Sequence, residues 1–146
     1  MKKKKPSRTE RVVFTEEMRK EYTILAPMML PIHFQLIERG FVKHGYRLQI
    51  LDTTHSGIVE QGLESVHNDT CYPALLVIGQ LLDALKSGEY DTNKVALMIT
   101  QTGGGCRASN YIYLLRKALR RNGLGHIPVI SLSIGMEKNP GFRLTL

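Results

Sequence analysis

Apolar and polar positions along the chain switch repeatedly between a period of two and a period near 3.6. Tyr22 to Ala26 (YTILA) is β-prone and is stopped by Pro27, which predicts a first strand. Pro31 suits the first position of a helix. Ile32, Phe34, Leu36, Ile37, Phe41 and Val42 then carry apolar positions through to His44, and Gly45 ends the run as a left-handed residue. Tyr46 to Leu51 (YRLQIL) alternates and predicts a second strand. Ser56 to Asn68 predicts a helix with Ile58, Val59, Leu63 and Val66 as its apolar positions. Asn68 to Cys71 reads as a turn. Pro73 opens a strongly apolar helix, ALLVIGQLLDALKS, which Gly88 closes. Val95 to Thr100 (VALMIT) is short and apolar enough for a buried third strand. The glycines Gly103, Gly104 and Gly105 lead into Cys106 and Arg107. A helical stripe of Tyr111, Leu114, Leu115, Ala118 and Leu119 follows, with Arg116, Lys117, Arg120 and Arg121 largely off it. Asn122 to Gly125 (NGLG) ends that helix, and Pro128 to Ser133 predicts a fourth strand.

Strands that alternate with helices predict an α/β fold, a three-layer Rossmann-like module on a mainly parallel sheet of about four strands with right-handed crossovers. Residues 1–20 are charged and aperiodic apart from a helical turn expected around Glu16 to Lys20, and are expected to form a basic flexible arm. Residues 21–146 are expected to form one α/β domain. The chain stops where another helix would follow, so it is expected to be a module of a longer protein.

Composition and charge narrow the function classes. The chain has 146 residues, 42% of them hydrophobic, which excludes a disordered chain. Net charge is +7, from 20 basic and 13 acidic residues, and much of the excess sits in Lys2 to Lys5, Arg8 and Arg11. Such a tail can hold an anionic surface, but solvated basic termini are commoner, so nucleic acid is disfavoured as a partner. No apolar run approaches the ~20 residues of a membrane span, and no apolar segment of signal-peptide type follows the lysines. The expected compartment is therefore the reducing cytoplasm. There, two cysteines are expected to be free, catalytic or metal-binding rather than disulfide-bonded.

Cys71 and Cys106 carry the chemical signal. Each is expected at a helix N-terminus, where unpaired N–H groups and the helix dipole favour a thiolate. Loops of consecutive parallel units share one sheet edge, so the two thiolates can approach each other and suit a soft metal or an iron–sulfur cluster. Their spacing matches no simple zinc pattern, and inert, small core cysteines are the plain alternative. TGGGCRAS also permits a phosphate- or nucleotide-binding reading without metal. Gly103, Gly105 and Ala108 fit G-x-G-x-x-G/A after a strand, and Arg107 can act as a fork for an anion on the helix terminus. No acidic ribose partner stands about 20 positions on and no P-loop lysine follows, and the glycines serve a tight turn equally well. His33 opens a helix near the same edge and is within reach of such a site, although a satisfied or exposed histidine is the plainer reading. Asp69 beside Cys71 suits an Asx turn.

The stretch NDTCYPALLVIGQLLDALKSG, then ITQTGGGCRASNYIYLLRKAL, then PVISLS, resembles the acyl-CoA dehydratase activase-related proteins, akin to the 2-hydroxyglutaryl-CoA dehydratase activator and dehydratase families. The resemblance runs from about Tyr22 to Ser133 and includes APMMLPIHFQLIERGF; N-D-x-C-Y-P and T-G-G-G-C-R together carry it. It implies an iron–sulfur module of anaerobic metabolism, with Cys71 and Cys106 binding a [4Fe–4S] cluster. That module would support ATP-driven one-electron transfer to a 2-hydroxyacyl-CoA by partner domains. The ATP-binding domains of the long relatives find no counterpart within these 146 residues. A cubane cluster wants three or four protein ligands. The remaining ligands would come from other domains or subunits of a dehydratase/activase system, or from a homodimer mate, and the chain alone is not expected to be catalytic.

Overall fold

The computed structural model describes residues 11–67, 70–101 and 110–132. Four strands, β1 (Thr23–Pro27), β2 (Arg47–Leu51), β3 (Val95–Thr100) and β4 (Val129–Leu132), form one sheet in the order β2-β1-β3-β4, with every pair parallel. Parallel neighbours require crossover connections. Here they are α2 (Pro31–Lys43) between β1 and β2, α3 (Ser56–Ser65) and α4 (Tyr72–Lys86) between β2 and β3, and α5 (Tyr111–Arg121) between β3 and β4. A single turn, α1 (Met18–Glu21), precedes β1. This is the α/β, Rossmann-like three-layer arrangement that the hydrophobic pattern predicts.

The strand sequences follow from what covers each face. On one face, Phe34 and Phe41 of α2 pack with Phe14 onto Ile24, Ala26, Leu48, Ile50, Ala96, Met98 and Ile130. On the other, α4 and α5 pack onto Leu25, Leu51, Val95, Leu97, Ile99 and Val129. Successive side chains point to opposite faces, so the inner strands β1 and β3 must be apolar at nearly every position. β2 is an edge strand whose Arg47 and Gln49 stay exposed, which is why YRLQIL alternates.

Several boundaries depart from the sequence pattern for physical reasons. The stretch expected as a loose arm already joins the core at Phe14, which is 3% exposed and meets the Tyr22 ring edge-on at 6.3 Å. On α2 only Phe34 and Phe41 are buried; Ile32, Leu36 and Val42 are 73%, 61% and 56% exposed, because α2 shows the sheet one stripe narrower than its apolar content. Gly45 does take a positive φ of 79° after α2, and the Arg19 guanidinium donates to the His44 carbonyl there while lying 4.6 Å over the Tyr46 ring. A cation at that position also complements the helix dipole. α3 ends at Ser65 rather than Asn68, and Val66 turns to extended backbone. Leu63, expected as a core position of α3, is 47% exposed.

The reason is the way α3 meets α4. The buried positions of α3 are Ile58, Gly62 and Ser65, with no leucine among them. A β-carbon at Gly62 would come within 2.5 Å of the Leu75 carbonyl oxygen, and one at Gly79 would collide with the Ile58 carbonyl. The two backbones therefore cross at near-direct contact, and the glycine hydrogens occupy the only space there. Glycine inside a helix costs about 1 kcal/mol against alanine, so two of them at facing positions mark a close approach rather than a flexible joint. Replacing Gly79 with alanine is expected to lower stability by about 1–3 kcal/mol despite alanine's better helix propensity, read as a fall in the urea midpoint at unchanged slope. A stabilised Gly79→Ala protein would mean that the helices separate without cost.

Candidate functional site on the carboxyl side of the sheet

β1 and β3 are neighbours, yet the chain leaves β1 toward β2 on one side and β3 toward β4 on the other. Strand order thus reverses between β1 and β3, and the crevice beyond their carboxyl ends is where open parallel sheets bind ligands. Two contacts hold its rim. The Thr100 hydroxyl donates to the Met29 sulfur at 3.3 Å, and the Ser131 hydroxyl donates to Gln101 Oε1 at 2.8 Å.

Gln80 of α4 ties the neighbouring strand ends together. It is 8% exposed. Its amide nitrogen donates to the Leu51 carbonyl at 3.0 Å and to the Thr53 carbonyl at 2.9 Å, and its Oε1 accepts the Met28 N–H at 3.2 Å. One side chain therefore satisfies three backbone groups that leave the ladder where β1 and β2 end, groups that would otherwise be costly to desolvate.

Above this clamp lies a cavity of about 380 Å³ between the ends of β1 and β2 and the facing turns of α3 and α4. Met28, Ile58, Leu76 and Val77 supply its apolar wall, and Asp52, Thr53, Thr54 and His55 follow β2 along its rim. With its proton on Nε2, His55 donates to Asp83 Oδ2 at 3.0 Å. Burial, and then the carboxylates of Glu89 and Asp52, push the Tyr90 phenol above its ordinary value.

Cys71 is the N-cap residue of α4, as its position before Pro73 implied. Its thiol is half-buried, free of any disulfide, and 2.9 Å from the Tyr111 hydroxyl. Tyr111 is the first residue of α5, so this contact brings Cys71 beside the start of that helix. Cys106, Gly103, Gly104, Gly105 and Arg107 lie outside the described residues, as does Asp69. The described residues on either side of the TGGGCRAS segment are Gln101, beyond β3, and Asn110 with Tyr111, where α5 begins. His33 is exposed in the first turn of α2. His44 and His126 bond to the carbonyls of Gly40 and Thr92 at 2.8 Å and 3.1 Å, the structural use of a histidine. Among the described residues no group of three or more His, Cys, Asp or Glu side chains is placed to hold a metal ion. No helix among them is long and apolar enough to cross a membrane.

Compared with protein-family models, with curated proteins and with solved structures, the chain matches none.

Gln80 and the His55–Asp83 pair escaped the sequence pattern. Gln80 stands in an apolar helical run, and a lone polar residue there is itself a signal of a buried partner. His55 and Asp83 are 28 positions apart, and only the packing of α3 on α4 joins them. Gln80→Leu is expected to lower stability by about 2 kcal/mol or more, since three backbone groups lose their partner at once. Amide exchange at Met28 should quicken in parallel, which hydrogen-exchange NMR would read. Unchanged protection at Met28 would show that its N–H is held by something other than Gln80.

Proposed function

We propose that the chain is an iron–sulfur module that works with a 2-hydroxyacyl-CoA dehydratase/activase system. In this reading Cys71 and Cys106 are its cluster ligands, and the chain is not catalytic alone. The observation that carries the proposal is the setting of Cys71. It is a free, half-buried thiol at the head of a fifteen-residue helix, and it touches the residue that opens α5, five positions after Cys106 in the sequence. Two features of that setting suit a cluster thiolate: the N-terminal helix dipole, and a phenol able to donate to sulfur. A bound [4Fe–4S] cluster would supply one-electron transfer. Two cysteines leave its ligand set incomplete, so the remaining ligands would come from another segment, another subunit or a second copy of the chain. An extramembrane, cytoplasmic module fits this chemistry.

A second reading has its own observation. Strand order reverses between β1 and β3, and the TGGGCR segment follows β3 in the sequence, which favours a phosphate or nucleotide held by Gly103 to Gly105 and Arg107.

Anaerobic reconstitution with iron and sulfide separates the two. The cluster reading expects a brown protein with about four iron per two chains if the cluster bridges a dimer. It further expects Cys71→Ser to lose most of that iron, while Tyr111→Phe keeps the iron and shifts the midpoint potential. A colourless wild-type chain that nucleotide protects against thermal unfolding would overturn the cluster and leave the second reading.

A further inference from the structure

The cavity beyond β2 is used by neither reading: the first rests on Cys71 and Cys106, the second on Gly103 to Gly105 and Arg107. Its volume of about 380 Å³ lies within the range of small-molecule pockets, about 300–1,000 Å³. We propose that it is a nucleoside site, one that receives a base and sugar and leaves any phosphate outside.

Three observations lead there. The wall formed by Met28, Ile58, Leu76 and Val77 offers apolar surface on more than one side, which suits a flat heterocycle. The rim is the opposite in character. Asp52 is the first residue after β2, and its carboxylate makes no hydrogen bond or ion pair with the described residues; the Thr53 and Thr54 hydroxyls stand next to it. A carboxylate at the carboxyl tip of the second strand is well placed to accept from the vicinal hydroxyls of a ribose. The Gln80 amide, by contrast, is wholly engaged by backbone, so it shapes the floor rather than reading the ligand.

The third observation concerns charge. Among the described residues, no lysine or arginine lines the cavity. The turn after β1, where a dinucleotide fold would cradle its pyrophosphate, reads Met28-Met29-Leu30-Pro31. It has no glycine to let a phosphate approach the backbone, and Pro31 at the first helical position has no N–H to offer. A phosphate would meet the Asp52 carboxylate with no lysine or arginine among the described lining residues to neutralise it. The site therefore selects an uncharged nucleoside, or the nucleoside end of a larger molecule whose phosphates project into solvent.

The test uses the iron-free chain, so that its failure leaves the cluster proposal standing. Adenosine, AMP and inorganic phosphate are titrated separately and followed by saturation-transfer NMR and calorimetry. The expected result is adenosine binding in the millimolar range or tighter, AMP no tighter than adenosine, and no binding of inorganic phosphate. A free nucleoside as the natural ligand predicts AMP clearly weaker; a nucleoside end with projecting phosphates predicts AMP equal to adenosine. Asp52→Asn, at an exposed position, should weaken adenosine about tenfold with an unchanged circular dichroism spectrum. Leu76→Trp should abolish binding by filling the cavity. The proposal is overturned if adenosine does not bind, if AMP or phosphate binds more tightly than adenosine, or if folded Asp52→Asn binds adenosine as well as the unaltered chain does.

Discussion

The seating of α4 is the constraint on which the rest depends. Gly79 lets its backbone lie directly against the Ile58 carbonyl of α3, and the next residue, Gln80, bonds to the ends of β1 and β2. Neighbouring positions on one helix thus point toward two different layers. Apolar burial alone would not impose this. The buried side of α4 is filled with apolar residues such as Ile78, Leu81, Leu82 and Leu85, which can slide by a turn at modest cost. A glycine contact and a three-bonded amide cannot slide, because a shifted register would bring a side chain against a carbonyl and leave three backbone groups unsatisfied. Polar satisfaction and close approach choose one register among those that hydrophobic packing permits.

How much of this was legible in the sequence depended on whether the signal was local. β1 and β3 announce themselves as continuous apolar runs because helices cover both faces, and the terminating glycines Gly45, Gly88 and Gly123 take the positive φ that helix ends require. The stripe on α5 was also legible, though Ile112 belongs to it and Leu114 only borders it. What could not be read was anything set by a partner distant in sequence. Ile32 and Leu36 look like core residues of α2, but whether a helical apolar position is buried depends on how wide a stripe the sheet covers. Gly62 stands in α3 without any signal in the sequence, and only the proximity of Leu75 gives it a reason. The cysteine at the head of α4 was legible from Pro73; its contact with Tyr111, 40 positions away, was not.

The charge distribution gives α5 a different character from α4. Its buried face is Tyr111, Ile112, Leu115, Ala118 and Leu119, while Lys117, Arg120 and Arg121 are exposed and Arg116 reaches the Val129 carbonyl at 3.3 Å. Two of these cations, Arg120 and Arg121, stand in its last turn, where the negative end of the helix dipole stabilises them, each by about 0.3–1 kcal/mol. The basic excess at this end therefore has a structural use before any partner is invoked. The cavity beyond β2 has a different make-up: among its described lining residues the charged side chain is Asp52, and His55 pairs with Asp83.

The two candidate sites share α4 as their common wall, and this bears on whether they act on each other. Cys71 and Gln80 stand nine residues apart, roughly 14 Å of helix at 1.5 Å per residue. A ligand in the cavity touches α4 through Leu76, Val77 and Gln80, and a ligand at Cys71 meets its N-terminus. A helix transmits displacement well along its axis, but only if it is free to move. The bonds of Gln80 to Leu51, Thr53 and Met28 pin the middle of α4 to the sheet, and the Gly62–Gly79 crossing pins it to α3. Moving it as a rigid body would break both, at a cost of several kcal/mol, more than the coupling energies of about 1–3 kcal/mol typical of communicating sites. The arrangement accordingly favours two sites held at a constant separation on one rigid element, with occupancy of one leaving the geometry of the other unchanged.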